Sequence, residues 1–486
     1  MDAIARRLRG VLYRRSKDGE TESKAMKKND TSRVLVLAAG RSTRMKSEKN
    51  KLLHDLRGVP ILARTLANAS RIGEVTCVVG RESEEISALA RSIAARIVIQ
   101  DPPRGTGHAV LSTREALEKS QGDLIILNGD VPLAGEAILT AVVEFHRRHK
   151  AAFTVVSTEP PEPASYGRII RRGNRLHAIR EFADADEKTR GIREINAGIY
   201  CAKMPLIFKY LLQLKPDNQK YEYYLTDLIG ILNRAHHKVV CMFHPAWREL
   251  LGINDRTDIE QCESILNLQK IRDLQKAGVG ILSSATTFID DEVSIGPDTV
   301  IHPFTCLEGK TTIGRRCCVK SFSRIVDSTL ADDVTVQGSS LVVESCIENG
   351  SIIGPFCHLR GSTRILEKSK VGNFVEMKKT TFGPSSKAMH LSYLGDATIE
   401  EGVNIGAGTI TCNYDGVNKN PTHIEKGVFI GSGTEIIAPL RVGEDAYVAA
   451  GSTITDDVPA GSLAIARARQ VVKKGWAAER KKRMKP

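Results

Sequence analysis

Between residues 33 and about 257, short apolar runs alternate with longer amphipathic stretches. The runs are RVLVLAAG, VTCVVG, RIVIQ, DLIILNGD, AAFTVVS, INAGIYCA and KVVCMF; the segments between them, such as GHAVLSTREALEKS and EAILTAVVEFHRRHK, space their apolar positions as helices do. Strands alternating with helices predict an α/β domain: a mostly parallel sheet covered on both faces, with ligands at the carboxyl ends of its strands. The stretch 257–278 then reads as one long helix, with Ile259, Cys262, Ile265, Leu266 and Ile271 on one face and Gly278 ending it.

Beyond residue 285 the period becomes six. Ile295, Ile301, Leu307, Ile313, Val319 and Ile325 keep it strictly, as do Ile353, Leu359, Ile365 and Val371, and again Ile430, Ile436, Val442, Val448 and Ile454. Such a repeat marks a parallel β-helix, in which each flat side sends one aliphatic inward and a following residue, often Gly, turns the corner. Three sides per coil give roughly ten coils over 285–465. The register breaks at 376–396, which is expected to be an inserted loop and hence a site candidate, carrying Lys378, Lys379, Lys387, His390 and Tyr393.

The predicted layout is an extension over 1–32 expected to be flexible, the α/β domain over 33–256, a linker helix within 257–284, the β-helix over 285–465 and a tail over 466–486. A chain of 486 residues exceeds what one core usually serves. No apolar run reaches the roughly 18 residues of a membrane span, and no secretory block opens the chain, so a cytoplasmic protein is expected. The ten cysteines form no paired CxxC pattern and read as reduced and mostly buried. The net charge of +13 is concentrated at the ends: residues 1–32 hold nine Lys/Arg against five Asp/Glu, and 467–486 hold nine against one. The body is nearly neutral, which disfavours nucleic acid as a partner and reads the tails as solvated. Ile4, Leu8, Val11 and Leu12, at helical spacing between arginines, also admit a surface-lying helix.

Polyphosphate demands closely approachable N–H groups, fixed cations and usually a metal. The turn at Ala38, Ala39 and Gly40 offers the first, and Arg44 with Lys51 the second. Alone this is neither a Walker A loop nor a dinucleotide fingerprint, and a basic surface turn reads equally well. Asp130, at the end of DLIIL in NGDVPL, suits Mg²⁺ or, more plainly, a turn or helix cap.

Together these pieces resemble the sugar nucleotidyltransferases, whose opening motif is LxxGxGTRMxSxxPK. With QDPPRGTGHA, YGRI, EINAGIY, EYYLTD and GIND added, and VGNFVEMKK, YLGDATI and VNIGAGTITCNYDG behind them, the chain is similar over 33–476 to the bifunctional N-acetylglucosamine-1-phosphate uridylyltransferases that also carry a glucosamine-1-phosphate acetyltransferase. The resemblance implies a Rossmann-like nucleotidyltransferase domain, a connecting helix and a left-handed parallel β-helix of hexapeptide repeats. It implies that N-acetylglucosamine 1-phosphate attacks the α-phosphorus of UTP, and that acetyl-CoA acetylates glucosamine 1-phosphate. It also implies that the product is a nucleotide sugar for cell-envelope polymers and that the assembly is a cytoplasmic homotrimer.

By the same resemblance, Leu37, Ala38, Ala39 and Gly40 lie at the nucleotide, Arg44 and Lys51 at the phosphates, and Gln100, Gly105 and Thr106 at uracil. Asn128 and Gly129 line the site, Gly167, Glu181 and Asn196 hold the acetamido sugar, and Asp130 with Asn254 holds Mg²⁺. For acetyl transfer, His390 is the base, a role that suits an imidazole near neutral pH. Arg360, Lys378 and Lys419 meet the sugar phosphate, while Tyr393, Asn404 and Asn413 orient the sugar. Ala407, Tyr414, Ser432, Ala450 and Arg467 fall at acetyl-CoA positions, Asn413 among them.

Five residues depart from the family pattern. Ser42 replaces the second motif glycine, and Asn50 replaces the proline before Lys51, which is expected to loosen that segment. Asn128 stands where close members have an aromatic, Met389 replaces a glycine, and Gly361 replaces a proline. A transferase using its β-helix only as a scaffold, and a nucleic-acid-binding protein working through its tails, are the rival readings.

Overall fold

The computed structural model describes residues 32–484 apart from 41, 42, 82, 94 and 164, so the extension before Ser32, the departure at Ser42 and the last two residues of the tail lie outside the described residues. The chain divides into two units between Leu266 and Asn267.

The first unit is built on nine strands: β1 (Ser32–Ala38), β2 (Gly73–Gly80), β3 (Arg96–Gln100), β4 (Gly122–Asn128), β5 (Phe153–Thr158), β6 (Arg168–Arg172), β7 (Arg175–Arg180), β8 (Ile195–Met204) and β9 (Val239–Phe243). Their order is β9-β5-β8-β4-β1-β2-β3, with the β6–β7 hairpin attached to β8. Strand β1 runs parallel to both neighbours, whereas β8 runs antiparallel to β4 and β5. Alternate residues of β1 feed opposite cores: Val34, Val36 and Ala38 one face, Leu35 the other. The crossover from β1 to β2 on one side and β4 on the other makes a switch point, and the loops that leave β1 and β4 emerge there side by side.

All seven apolar runs become strands. The β6–β7 hairpin is additional: RIIRRGNRLHAIR interleaves charge with aliphatics, and only the turn at Gly173, with φ of +57°, advertised it.

The helix Arg256–Lys276 serves both units in turn. Cys262, with Ile259, Ile265 and Leu266, packs on the core of the first unit, and Ile271 and Leu274 belong to the core of the second. Asn267 starts the second unit, donating to the Thr287 carbonyl at 2.8 Å and accepting from the Ile289 N–H at 3.1 Å.

The second unit is a left-handed parallel β-helix. One row of inward apolar side chains, aliphatic except for Phe382, runs Ile295, Ile313, Leu330, Ile347, Ile365, Phe382, Ile399, Ile424 and Val442, one from each strand of a single nine-stranded sheet. The inserted loop expected at 376–396 is absent. Lys370–Lys378 and Lys387–Gly395 are long strands paired in parallel, with Asn373 opposite His390 and Glu376 opposite Tyr393. The six-residue register slips there because the sides from Met377 to Phe382 and from Leu394 to Ile399 are one residue short. The chain leaves the coil instead between Thr411 and Ile424, in a loop closed by the Tyr414–Lys419 bridge. All ten cysteines are free, five of them buried and five partly exposed.

Candidate functional site

At the switch point, residues from four separate stretches converge. Arg44 follows β1 in the turn Thr43–Met45, and Lys51 opens the turn Lys51–Leu53. The Lys51 ammonium donates to the Asp130 carboxylate and, at 3.1 Å, to the Ile253 carbonyl. Arg44 donates to Asn254 Oδ1 at 2.8 Å and to Ser165 Oγ at 2.9 Å. Backbone bonds from Gly129 N–H to Leu37 O, 2.8 Å, and from Ile253 N–H to Asp130 O, 2.9 Å, lock the carboxylate beside β1. Ala39 and Gly40 form the turn out of β1, and nothing crowds Gly40.

Asn50 does not leave Lys51 loose. Its φ of −58° is one proline also adopts, and its side chain accepts from the Leu52 N–H at 3.0 Å, so an amide cap replaces the ring's restraint.

Gln100, Gly105 and Thr106 form a second cluster. The Gln100 amide donates to Gly105 O at 3.1 Å and meets His108 Nδ1 at 2.9 Å, and Thr106 Oγ1 accepts from the Leu225 N–H at 3.0 Å. His108 was not singled out from sequence, although it lies inside the quoted QDPPRGTGHA.

The β6–β7 hairpin supplies the third cluster, with Gly167 entering it and Glu181 leaving it. Gly167 O accepts from the Asn196 N–H at 2.9 Å, and a Cβ on Gly167 would lie 3.3 Å from Glu181 Oε2. Thr226 donates to Glu181 Oε1 at 3.2 Å, and burial pushes this carboxyl's pKa up. The Asn196 amide donates to the buried Tyr200 hydroxyl at 2.7 Å and accepts from the Gly198 N–H at 3.1 Å. Asn128 faces Gly198, where an added Cβ would stand 2.6 Å from the Asn128 amide nitrogen. Thr226 and Tyr200 were not singled out from sequence, although they lie inside the quoted EYYLTD and EINAGIY; Thr226 acts through Glu181, 45 residues away, and Tyr200 through Asn196, four residues away.

In the β-helix, His390 Nδ1 lies 2.9 Å from Asn373 Oδ1. An amide oxygen only accepts, so in the neutral ring Nδ1 carries the hydrogen and the lone pair lies on Nε2. Strand registers set Asn373, His390, Ala407, Ser432 and Ala450 in one corner column on successive coils. The register continues the column at Ala466, and Arg467 lies one residue beyond it, its Cδ standing 3.7 Å from where a Cβ on Gly451 would be.

Arg360 and Lys378 are register neighbours on the flat side beyond that corner, and Arg360 donates to Glu376 at 2.8 Å. Lys419, then Arg360, lowers the Lys378 pKa, as crowded cations do. Tyr393 and Asn413 meet over Gly395, where a Cβ would lie 2.5 Å from the phenol oxygen and 2.9 Å from the amide nitrogen. Asn413 therefore stands beside Tyr393 rather than in the corner column. Asn404 lies on the flat side before the corner, in register with Lys387 and Phe429, and is not brought to Tyr393 within one chain. Tyr414, in the 413–421 loop, donates to Gly416 O at 2.6 Å. Gly361 has φ of +61°, which a proline ring forbids, so the backbone after Arg360 turns here as no proline-bearing relative's can. Met389 is part exposed beside His390 and displaces no reacting group.

Family models match three stretches: a MobA-like NTP transferase domain over 34–198, a GMPPB C-terminal domain over 285–394, and six bacterial transferase hexapeptide repeats over 421–456. Whole-length relatives exist as well. The chain is 43% identical over 459 residues to the bifunctional protein GlmU of Koribacter versatilis, covering 93% of this chain and 98% of that one. The chain belongs to the GlmU family. The Thermotoga petrophila GlmU is 42% identical over 451 residues, covering 93% and 99%, and the Geobacillus sp. GlmU is 42% identical over 447, covering 91% and 97%. Among the described residues no helix is long and apolar enough to cross a membrane.

Proposed function

We propose that the chain makes UDP-N-acetylglucosamine in two steps, acetylating glucosamine 1-phosphate and then uridylylating the product. The observation that carries the first step is the His390–Asn373 pair. It presents an exposed Nε2 able to accept the amine proton as nitrogen attacks the thioester carbon, and, as the C–S bond breaks, to return that proton to the leaving thiolate so that coenzyme A departs as the thiol. The small residues Ala407, Ser432 and Ala450 leave room along the corner for a pantetheine arm, and Arg467 suits the coenzyme's phosphates. Arg360, Lys378 and Lys419 offer the sugar phosphate a cationic seat.

In the second step a phosphate oxygen of N-acetylglucosamine 1-phosphate attacks the α-phosphorus of UTP, and the bond to the β-phosphate breaks to release pyrophosphate. Such a displacement depends on positioning and charge neutralisation, which Arg44 and Lys51 supply. Glu181 and Asn196 hold the acetamido sugar, and Gln100 with Thr106 reads uracil. The Asp130 carboxylate and Asn254 amide are hard oxygen donors tied to one backbone corner, a sparse set that suits Mg²⁺, which keeps waters and phosphate ligands. Asp130 and Asn254 would hold Mg²⁺ there, and the ion would supply charge neutralisation at the phosphates.

The working form is a cytoplasmic homotrimer, supported by family membership and by two features of the lone β-helix. Phe304 stacks on Phe322 at 5.1 Å and Phe356 on Phe374 at 5.4 Å, all four more than half exposed. Asn404 is separated from Tyr393 by the corner, as expected if a second copy completes the site. Release of coenzyme A thiol with glucosamine 1-phosphate, and of pyrophosphate from UTP with N-acetylglucosamine 1-phosphate, tests the two steps separately. Pyrophosphate without thiol release would favour the scaffold reading of the β-helix.

A further inference from the structure

Ser165, Tyr166 and Gly167, consecutive residues before β6, each touch a different part of the uridylyl-transfer site. Ser165 Oγ accepts from Arg44, the phosphate cation. The Tyr166 hydroxyl accepts from the Gly252 N–H and donates to the Gly252 carbonyl, both at 3.1 Å. Gly252 immediately precedes Ile253, which accepts from Lys51, and Asn254, which accepts from Arg44. A Cβ on Gly252 would lie 3.6 Å from the Tyr166 hydroxyl and 3.8 Å from Asp130 Oδ1, so the clamp sits against the carboxylate. Gly167, in turn, abuts Glu181 and bonds Asn196 on the sugar wall.

The segment is itself rigidly held. Arg168 donates to the carbonyls of Pro163, Tyr166 and Arg190, with its guanidinium 5.3 Å from the centroid of the Phe182 ring.

We propose that Tyr166 and Ser165 are positioning residues that couple the sugar wall to the metal and phosphate corner: Tyr166 fixes the Gly252–Asn254 strand against Asp130, and Ser165 fixes Arg44. This rests on the assignment of Asp130 and Asn254 to Mg²⁺. Without the phenol oxygen, Gly252 N–H loses its partner and the strand bearing Asn254 is no longer held to Asp130 at that point. Without the Ser165 hydroxyl, Arg44 keeps Asn254 but loses its second anchor.

The test uses the full-length protein with UTP and Mn²⁺, no sugar phosphate being present, and water-proton relaxation to read Mn²⁺–UTP binding. For Tyr166→Phe, the dissociation constant for Mn²⁺–UTP is expected to rise about fivefold. Uridylyl turnover should fall and recover at high Mg²⁺, with acetyl transfer unchanged. Ser165→Ala, at an exposed position, should raise both the Mn²⁺–UTP dissociation constant and the KM for UTP about fivefold, with acetyl transfer unchanged. Tyr166→Phe binding Mn²⁺–UTP as the parent does, while Asp130→Asn binds it weakly, would overturn the coupling alone. If Asp130→Asn also binds like the parent, the metal assignment and this proposal fall together. An unchanged KM for UTP in Ser165→Ala would remove the role given to Ser165.

Discussion

The Lys51 ammonium rests on the Asp130 carboxylate, so the residue assigned to the phosphates neutralises the residue assigned to the metal. Metal arriving alone has to compete with that ammonium, whereas metal arriving with a triphosphate does not, because the phosphates give Lys51 a new partner. Lys51→Ala is therefore expected to bind Mn²⁺ about tenfold tighter in the absence of nucleotide, while uridylyl turnover falls about 10²- to 10³-fold. Lys49→Ala, which removes a cation paired with Asp55 at 3.8 Å, should change neither. Equal Mn²⁺ affinity in the parent and Lys51→Ala, measured by electron paramagnetic resonance of free Mn²⁺, would refute the competition.

The Asn373 amide leaves His390 with its basic nitrogen available. His390→Ala should lower acetyl transfer about 10²- to 10⁴-fold with uridylyl transfer intact. Asn373→Ala keeps the base but frees the ring, and a drop of about tenfold in kcat with little change in the KM for acetyl-CoA is expected. Separate thiol-release and pyrophosphate-release assays read both, and unchanged thiol release in His390→Ala would remove the base.

Ala407, Ser432 and Ala450 share one corner column, and side-chain bulk there obstructs anything lying along it. Ala407→Phe should raise the KM for acetyl-CoA about tenfold without altering uridylyl transfer. The same KM in both proteins would move the coenzyme elsewhere.

Glu181 has a pKa raised above its ordinary 4.5 by burial, against the opposing hydrogen bond from Thr226. As pH falls through that raised value the carboxylate takes a proton and no longer accepts from an acetamide N–H. The KM for N-acetylglucosamine 1-phosphate should therefore climb on acidification at a higher pH than a free glutamate would give. The folded chain also binds this proton more tightly than the unfolded one, so the group's effect on stability diminishes folding as pH rises from 4.5 through the raised value. In Glu181→Gln the acid limb of the KM profile should flatten, and a limb that persists would locate the titration in another group.

Period and spacing were enough to read the two architectures, because a strand buried on both faces is a short continuous apolar run and each coil side repeats one inward apolar position. Direction was not legible: INAGIYCA looks like its parallel neighbours yet runs antiparallel as β8, since burial on both faces is the same either way. The strict count of six misled at 376–396, where two short sides imitate an insertion, while the true excursion at 413–421 lay hidden inside a well-matched motif. Arg44, Lys51, Asp130 and Asn254 were proposed from motifs, and their convergence required the fold. Asn373, Tyr166 and Thr226 lie inside quoted motifs but were not singled out, because their roles exist only through hydrogen bonds to residues 17, 86 and 45 positions away; Tyr200, also inside a quoted motif, bonds Asn196 four residues away in the same strand.

The most direct test follows glucosamine 1-phosphate, acetyl-CoA, UTP and Mg²⁺ with the full-length protein by mass spectrometry over time. N-acetylglucosamine 1-phosphate should appear first and then be converted to UDP-N-acetylglucosamine, with coenzyme A and pyrophosphate released in matching amounts. Accumulation of N-acetylglucosamine 1-phosphate with no nucleotide sugar, or no acetylation at all, would contradict the bifunctional account.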